Sequence, residues 1–262
     1  MAQQPWHDPS NILITGASSG IGAALARVCA RPGRTLFLGG RDAERLEAVA
    51  AACRENGANV HARAVDVVDG EAMRAWLTKA DGLAPLDLVI ANAGTSAGSG
   101  GDGESEEQAR RIFAVNVDGA MNTVLPVLPA MTARGRGQIA LVSSLAGFRG
   151  FPGAPAYCAS KATLRVWGEG LRGLLAPEGI AVSVVCPGFV KSRMSATNPY
   201  PMPMLMEADK AAAIILAGLA RNRGRIAFPW PLTWLIYAIT ALPVALTDRV
   251  MGRLPKKPAA SA

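Results

Sequence analysis

The stretch Asn11-Ile-Leu-Ile-Thr-Gly-Ala-Ser-Ser-Gly-Ile-Gly22 decides the fold of this chain. Its first five residues are mostly apolar and predict a short buried strand, and the alanine-rich run that begins at Ala23 predicts a helix. Between strand and helix stand Gly16, Gly20 and Gly22. Glycines allow positive φ and close backbone approach, and a helix N-terminus offers free N–H groups and a positive dipole end. The stretch therefore predicts a strand, turn and helix that bind the pyrophosphate of a dinucleotide.

A glycine turn of this kind is a weak signal when it stands alone, because tight βα turns also occur without any ligand. Its G-x-x-x-G-x-G spacing also differs from the commoner G-x-G-x-x-G dinucleotide fingerprint. The rest of the chain must therefore support the prediction.

Composition favours one large domain without a metal. The chain has 262 residues, of which 50% are hydrophobic, and this length suits a single core. Its four cysteines include no C-x-x-C pair and are expected to be buried free thiols. The two histidines stand far from any acidic cluster, so no metal site is expected.

The charge pattern and the first ten residues limit the expected binding partners and the expected cellular compartment. The first ten residues, MAQQPWHDPS, lack the basic and apolar regions of a signal peptide, which predicts a cytoplasmic protein. The net charge is +7, but acidic residues interrupt the basic ones, as in Arg41-Asp-Ala-Glu-Arg45. Nucleic acid is therefore not an expected partner, whereas phosphate-bearing cofactors and anionic lipid headgroups remain candidates.

Strand and helix patterns alternate along the chain. Strands are predicted over residues 11–15, 34–39, 59–65, 86–91, 138–142, 181–186 and 225–228. Helices are predicted from Ala23, over residues 42–56, 70–80, 156–176 and 210–221, and in a proline-interrupted stretch that ends at Met131. This alternation predicts an α/β fold, a doubly wound parallel sheet of Rossmann type with helices on both faces. We assign residues 1–228 to one catalytic domain and residues 229–262 to a C-terminal extension.

Polar residues and glycines follow most of these strands. Besides the first turn they are Gly40-Arg41, Asp66, Asn92, Ser143-Ser144 and Pro187-Gly188. Ligands of such sheets bind at the carboxyl ends of the strands, so these residues are candidates for one site.

The end of the second strand bears on the choice of cofactor. An NAD site usually has an acid there that binds the ribose 2′-hydroxyl. This chain has Gly40 and then Arg41, whose guanidinium suits a 2′-phosphate. NADP(H) is therefore predicted over NAD(H), and the alternative is that Arg41 is only a surface charge at a helix start.

A second motif carries acid–base chemistry. Tyr157 and Lys161 are four residues apart on one predicted helical face, and Ser144 ends the preceding strand. A free phenol has a pKa of about 10, and a nearby ammonium lowers it. The serine hydroxyl can donate a hydrogen bond to an oxygen on which charge develops. Such a set suits hydride chemistry on a carbonyl.

Taken together, these motifs resemble those of the short-chain dehydrogenase/reductase family over roughly residues 11–192. The matching segments are TGASSGIG at 15–22, Asp66, NAG at 92–94, Asn116, SS at 143–144, YCASK at 157–161 and PG at 187–188. The Ser144-to-Tyr157 separation fits the family pattern and selects Ser144 over Ser143.

The resemblance implies a catalytic set. Tyr157 would be the general acid/base, Lys161 its pKa modulator and a ribose ligand, Ser144 the group that orients substrate, and Asn116 the holder of a proton-relay water. From the residues alone, Asn116 could instead be only a helix-bend or strand-bridging residue, and Ser143 only a strand-end hydroxyl.

The resemblance also implies the cofactor contacts. The phosphate loop would contribute Gly16, Ser18, Ser19, Gly20, Ile21 and Gly22. An arginine at the place of Arg41 goes with NADP in this family. Asp66 and Val67 would contact adenine, and Asn92, Ala93 and Gly94 the adenosine-side ribose. Tyr157 and Lys161 would also touch the cofactor, and Pro187, Gly188, Val190 and Ser192 would hold the nicotinamide.

The segment 193–206 is predicted to cover the substrate. It contains four methionines, which make a pliable apolar wall, so a lipophilic ketone or alcohol is the expected substrate.

The family pattern gives no account of the C-terminal extension. Residues 232–242 are apolar almost all round and free of proline, but they fall short of the roughly 20 residues that a spanning helix needs. Tryptophans and basic residues flank this run, which suits a helix at the inner membrane surface. A substrate-pocket lid or a homodimer contact explains the run equally well.

Two functions of different classes follow. The first is an NADP(H)-dependent oxidoreductase that acts on an apolar ketone or alcohol. The second is a membrane-attached NADP(H)-binding protein without a catalytic role. The Ser144, Tyr157 and Lys161 set favours the first.

Overall fold

Seven parallel strands form one sheet in the order β3-β2-β1-β4-β5-β6-β7. The structure is a computed structural model that describes residues 8–96, 104–196 and 201–251. The strands are β1 (Asn11–Thr15), β2 (Thr35–Gly40), β3 (Asn59–Ala64), β4 (Leu88–Ala91), β5 (Gly137–Val142), β6 (Ile180–Pro187) and β7 (Arg225–Phe228). The strand order reverses between β1 and β4, where such sheets bind ligands. The predicted doubly wound parallel sheet is confirmed.

Helices cover both faces of the sheet. They are α1 (Gly20–Cys29), α2 (Ala43–Glu55), α3 (Gly70–Leu83), α4 (Glu106–Phe113), α5 (Gly119–Val124), α6 (Leu128–Arg134), α7 (Pro155–Leu175), α8 (Arg193–Ala196), α9 (Ala208–Ala220), α10 (Trp230–Ala241) and α11 (Val244–Met251). The short helix α8 lies inside the segment predicted as the substrate loop.

The core has two layers, one on each face of the sheet. Ile12 and Ile14 pack with α1, α2 and α9, whereas Leu13 between them packs with α3, α5 and α7. Successive residues of a strand point to opposite faces, so a strand covered on both sides must be apolar throughout. This explains why β1 reads as a continuous apolar run and not as an alternating one.

Several element boundaries differ from the predicted ones, and two of them lie at prolines. Helix α3 continues past the predicted end at Ala80 to Leu83 and stops before Pro85. Strand β4 begins at Leu88 and not at Leu86, and the Asp87 carboxylate just before it accepts hydrogen bonds from the N–H groups of residues 10 and 11. The stretch that leads to Met131 is broken after α5, where Pro126 has no N–H to continue the helix.

One helical stretch of the described residues, Glu106–Arg134, is long and apolar enough to cross a membrane. It comprises α4 to α6 with the turn between them, and 44% of its most apolar window is buried inside the protein.

Candidate active site

The first glycine turn forms a tight cradle at the carboxyl end of β1. Gly16 and Gly20 have φ of +67° and +55°, which side-chain-bearing residues rarely adopt. A Cβ on Gly22 would lie 2.2 Å from the Gly16 carbonyl oxygen. The side chain of Ser19 makes no capping hydrogen bond to α1, and the first turn of α1 contains no acid. The cradle and the uncapped helix N-terminus fit a pyrophosphate.

Gly22→Ala is expected to destabilise the protein by about 1–3 kcal/mol and to weaken binding of NADPH, because the added Cβ overpacks the cradle. Thermal denaturation and a fluorescence titration with NADPH measure both effects. The matched control is Gly170→Ala on α7, where a Cβ would meet no atom within 4 Å. That control should gain about 0.5–1 kcal/mol from helix propensity. A Gly22→Ala protein that behaved like the control would contradict the close packing of the turn.

Hydrogen bonds join this cradle to the end of β4. The Asn92 Nδ2 donates to the Thr15 carbonyl oxygen at 2.9 Å and to the Gly16 oxygen at 3.3 Å. The backbone N–H groups of Asn92 and Ala93 donate to the Thr15 hydroxyl oxygen at 3.2 and 3.3 Å. The amide of Asn92 therefore fixes the shape of the phosphate loop, and its own contact with a ribose stays a prediction.

Asn116 lies fully buried in a π-helical turn, Ala114–Asp118, between α4 and α5. Its Oδ1 accepts a hydrogen bond from the Thr95 N–H at 2.7 Å, and its Nδ2 donates to the Thr95 carbonyl oxygen at 3.0 Å. Nδ2 also donates to the Ser160 hydroxyl oxygen at 2.9 Å. Asn116 thus connects the loop after β4 to α7, and its π-helical turn stands between the α-helical segments α4 and α5.

Lys161 is the buried cation of the site, with 4% of its surface exposed. Its Nζ donates to the Val142 carbonyl oxygen at 2.9 Å and lies 5.9 Å from the centre of the Tyr157 ring. Burial lowers the pKa of Lys161 to about 8. A Cβ on Gly94 would lie 3.2 Å from this Nζ, so the loop after β4 also reaches the ammonium group. The ammonium is therefore held beside the phenol ring at the start of α7.

The two serines at the end of β5 differ in their contacts. The Ser143 hydroxyl donates to the Lys161 carbonyl oxygen at 2.6 Å, which ties the strand to α7. The Ser144 hydroxyl lies 3.4 Å from the Pro187 carbonyl oxygen and accepts a hydrogen bond from the Ala146 N–H at 3.1 Å. The contacts of Ser143 agree with a strand-end hydroxyl, and Ser144 lies beside the end of β6.

The end of β6 reaches back to the phosphate loop. Gly188 donates its N–H to the Phe228 carbonyl oxygen at 2.7 Å. Val190 forms an isolated parallel bridge with Met206. A Cβ on Gly20 would lie 3.0 Å from the Ser192 Cβ. The predicted nicotinamide segment therefore lies against the glycine turn, as one site requires.

The ends of β2 and β3 carry the remaining predicted residues. A Cβ on Gly40 would lie 3.3 Å from the Ser18 hydroxyl oxygen, so Ser18 borders the residue before Arg41. Asp66 closes a turn by accepting the Val68 N–H at 3.1 Å, and Val67 is buried against α5. Ile21 packs against the core layer of α1.

Sequence reasoning missed three side chains of this site. The Thr15 hydroxyl oxygen accepts hydrogen bonds from N–H groups of the loop after β4, and the Ser160 hydroxyl oxygen accepts one from Asn116. The Glu104 carboxylate accepts the Ala156 N–H at 2.6 Å and so caps α7 next to Tyr157. Thr15 and Ser160 stand inside the quoted motifs and could have been noticed there. Glu104 is 52 positions from its partner and has no local signal.

Comparison with known proteins identifies a family and relatives that this chain resembles. A profile described as short chain dehydrogenase matches residues 10–201. An uncharacterized oxidoreductase of Myxococcus xanthus is 41% identical over 246 residues, which cover 92% of this chain and 96% of the relative. The ketoacyl reductase HetN of a Nostoc species is 34% identical over 216 residues, which cover 81% of this chain and 75% of the relative.

Two solved structures share the fold. A short-chain dehydrogenase from Sphingobium yanoikuyae in complex with NADPH has a TM-score of 0.78 and 29% identity, covering 96% of this chain and 98% of that one. A short chain dehydrogenase from Mycobacterium paratuberculosis bound to NAD has a TM-score of 0.75 and 23% identity, covering 85% of this chain and 97% of that one.

Proposed function

The chain belongs to the short-chain dehydrogenase family of oxidoreductases, and from this premise we propose that it transfers a hydride between NADP(H) and the carbonyl or secondary alcohol carbon of a lipophilic substrate. The observation that carries the proposal is the buried Lys161 ammonium beside the Tyr157 ring, at the edge of the sheet that holds the glycine cradle. The alternative of a non-catalytic nucleotide-binding protein has no support among the relatives, which are named as oxidoreductases.

Each polar group of the site has one proposed task. The nicotinamide, when bound, supplies or accepts the hydride. Tyr157 gives its phenolic proton to the carbonyl oxygen and takes a proton from the hydroxyl in the reverse direction. The Lys161 ammonium favours the phenolate and so lowers the barrier to that proton exchange. Ser144 donates a hydrogen bond to the substrate oxygen, and Asn116 holds the water that returns a proton to the site.

Arg41 supports NADP(H) over NAD(H). It is exposed, and within the described part of the chain its guanidinium takes part in no ion pair or hydrogen bond. The nearest acid in sequence, Asp42, is already engaged, because it caps α2 by accepting the Arg45 N–H at 2.9 Å and pairs with the Arg45 guanidinium. A 2′-phosphate beside Arg41 would therefore meet a cation without a competing carboxylate.

Arg41→Ala is expected to raise the dissociation constant of NADPH about tenfold or more and to leave that of NADH nearly unchanged. A charge-assisted hydrogen bond contributes about 1.5–3 kcal/mol to binding. NADH has no 2′-phosphate and so does not make this hydrogen bond in the intact protein. Titration of both cofactors by fluorescence measures the change. Arg54→Ala is a control of equal charge at the far end of α2, where Arg54 pairs with Glu47. Equal losses for both cofactors would show that Arg41 has only a structural role.

An apolar substrate is supported by the segment after β6. Met194, Met204 and Leu205 are exposed there, so this segment offers apolar surface that a ligand could cover. One similar protein is named as a ketoacyl reductase, whose substrates carry a ketone. The proposed substrate is therefore a ketone or secondary alcohol that is attached to an acyl, steroid or aromatic group.

A panel of ketones tests this substrate class. Consumption of NADPH is measured with fatty-acyl, steroid and aromatic ketones, and with small polar ketones and ketosugars for comparison. The apolar ketones should have kcat/KM values at least tenfold above those of the polar ones. A preference for the polar group would contradict the lipophilic substrate and leave the oxidoreductase assignment intact.

The partners proposed beyond the substrate concern residues 229–262. We propose a cytoplasmic protein whose C-terminal extension contacts either the inner membrane surface or a second copy of the chain. Its α10 packs on the catalytic domain through Ile236, which lies in one apolar cluster with Leu145, Val184 and Cys186. The extension is thus fastened to the domain by one face, and its other face is free to bind a partner.

A further inference from the structure

The outer face of α10 is apolar and exposed. Trp230 and Trp234 have 73% and 67% of their surface exposed, and Leu235 is also more than half exposed. Six positions of α10 are exposed, and at about 100° per residue five of them, 230, 234, 235, 238 and 241, fall within an arc of about 140°, whereas Thr240 lies outside this arc. Two tryptophans, one leucine and two alanines occupy this arc, and none of them carries a charge.

Two further apolar side chains of the extension are exposed after this arc. Leu242 and Leu246, at the turn and in α11, are both more than half exposed. We call the side chains of Trp230, Trp234, Leu235, Leu242 and Leu246 the outer apolar surface. An exposed patch of this kind in a soluble domain marks an interaction site for protein or membrane.

The inner face of the extension is firmly attached. The Leu232 Cδ2 would lie 3.1 Å from a Cβ on Gly188, and the Tyr237 and Phe148 rings have centres 5.0 Å apart. Arg149 donates at 2.9 Å both to the Thr247 hydroxyl and to the Asp248 carboxylate. The outer apolar surface is therefore exposed while α10 and α11 stay docked on the protein.

The sequence of the extension has an excess of basic residues. Residues 229–262 contain four basic residues, Arg249, Arg253, Lys256 and Lys257, and one acidic residue, Asp248, which gives 4 − 1 = +3. The single carboxylate is paired with Arg149. The four cations follow the outer apolar surface in sequence, and a surface that attracts them must be anionic.

We propose that the outer apolar surface binds an anionic lipid membrane. Tryptophan suits the membrane–water interface because its ring is apolar and its N–H is polar, and basic residues beside it add attraction to anionic headgroups. This inference rests on the proposed function in one respect: an enzyme bound to a membrane would meet a lipophilic ketone in the phase in which that ketone dissolves. The binding itself is assigned to the outer apolar surface, and the basic residues that follow it in sequence add electrostatic attraction.

A second copy of the chain fits the same surface less well. A stable protein interface buries about 800 Å² on each partner and carries about one hydrogen bond per 100–200 Å². On the exposed arc of α10, the two indole N–H groups are the side-chain groups that could donate. A surface that is nearly free of polar side chains and is followed by cations matches a lipid better than an identical cationic copy.

Sedimentation with vesicles tests the proposal on the full chain. The protein is mixed with vesicles of phosphatidylglycerol and phosphatidylcholine, or of phosphatidylcholine alone, at low and high salt. Binding should need the anionic lipid and should weaken at least tenfold at high salt, since salt screens the headgroups. Failure of the intact protein to sediment with anionic vesicles at low salt would overturn the proposal.

Two double variants locate the surface. Trp230→Ala with Trp234→Ala should weaken vesicle binding about tenfold or more, because both rings leave the lipid interface. Val166→Ala with Leu174→Ala is the matched control, since both are exposed apolar residues on α7 and lie outside the extension. Equal weakening in the control would overturn the assignment to α10.

Two further readouts separate the alternatives. Analytical ultracentrifugation that finds a dimer of the intact chain and a monomer of the tryptophan variant, without vesicle binding by either, would identify a second copy as the partner and overturn the lipid proposal. NADPH consumption with a water-soluble ketone should be the same in the tryptophan variant and the intact chain. A chain that binds vesicles through the tryptophans but reduces no ketone would support the surface and contradict only the proposed function.

Discussion

Replacing Tyr157 with phenylalanine is expected to lower kcat for ketone reduction by on the order of 10² to 10⁴ and to leave NADPH binding intact. The variant keeps the ring beside Lys161 and removes only the hydroxyl that we propose as proton donor. Steady-state kinetics and a fluorescence titration with NADPH measure the two quantities separately.

Tyr237→Phe is the matched control, because it removes the same atom from another tyrosine. The Tyr237 hydroxyl accepts a hydrogen bond from Arg225 at 3.3 Å on the extension side of the fold. Its loss should leave kcat within about twofold, since surface changes of this size rarely exceed about 0.5 kcal/mol. Near-normal turnover in the Tyr157→Phe protein would remove Tyr157 from the mechanism.

Replacing Lys161 with methionine should also lower kcat by on the order of 10² or more, since the phenol then titrates without a neighbouring ammonium. The same substitution should raise the free energy of unfolding of the cofactor-free protein at pH 7. Lys161 is a buried cation, and methionine fills a similar volume without a charge to desolvate. A lower kcat together with a higher free energy of unfolding distinguishes a catalytic lysine from one that only stabilises the fold.

The stability gain has a defined pH dependence. Burial lowers the pKa of Lys161 in the folded chain from 10.5 to about 8. Below pH 8 both states hold the proton, and the folded chain must bury an ammonium that the unfolded chain leaves in water, so the cost to stability is full there. Between pH 8 and about 10.5 the folded chain gives up this proton before the unfolded chain does, so the cost falls and then disappears. The advantage of Lys161→Met in denaturant unfolding should therefore be largest below pH 8 and shrink above it. An advantage that grew with pH would contradict the buried ammonium.

Local patterns were enough to predict the sheet and the principal motifs. Apolar runs predict strands that are buried on both faces, and β7 at Arg225–Phe228 agrees with its predicted bounds. The glycines at 16, 20 and 22 and the Tyr157–Lys161 spacing act within a single turn, so a short stretch of sequence is sufficient to recognise them.

Contacts between distant residues could not be predicted in the same way. Asn92 and Thr15 are 77 positions apart, and only the parallel pairing of β1 with β4 brings them together. The π-helical turn at Asn116 has no local signature, because it depends on hydrogen bonds to Thr95 and to Ser160 of α7. The docking of α10 likewise depends on β7 and on the Phe148 loop, which the apolar run of the extension could not specify.

The central claim is that this site moves a hydride to a carbonyl carbon with Tyr157 as the proton donor. The most direct measurement incubates the enzyme with an apolar ketone and NADPH in which both hydrogens at C4 of the nicotinamide are replaced by deuterium, and examines the alcohol by mass spectrometry and NMR. The account predicts one deuterium on the carbinol carbon with the intact enzyme and a rate lower by on the order of 10² or more with Tyr157→Phe. An alcohol without deuterium, or no alcohol from any apolar ketone while NADPH remains bound, would contradict it.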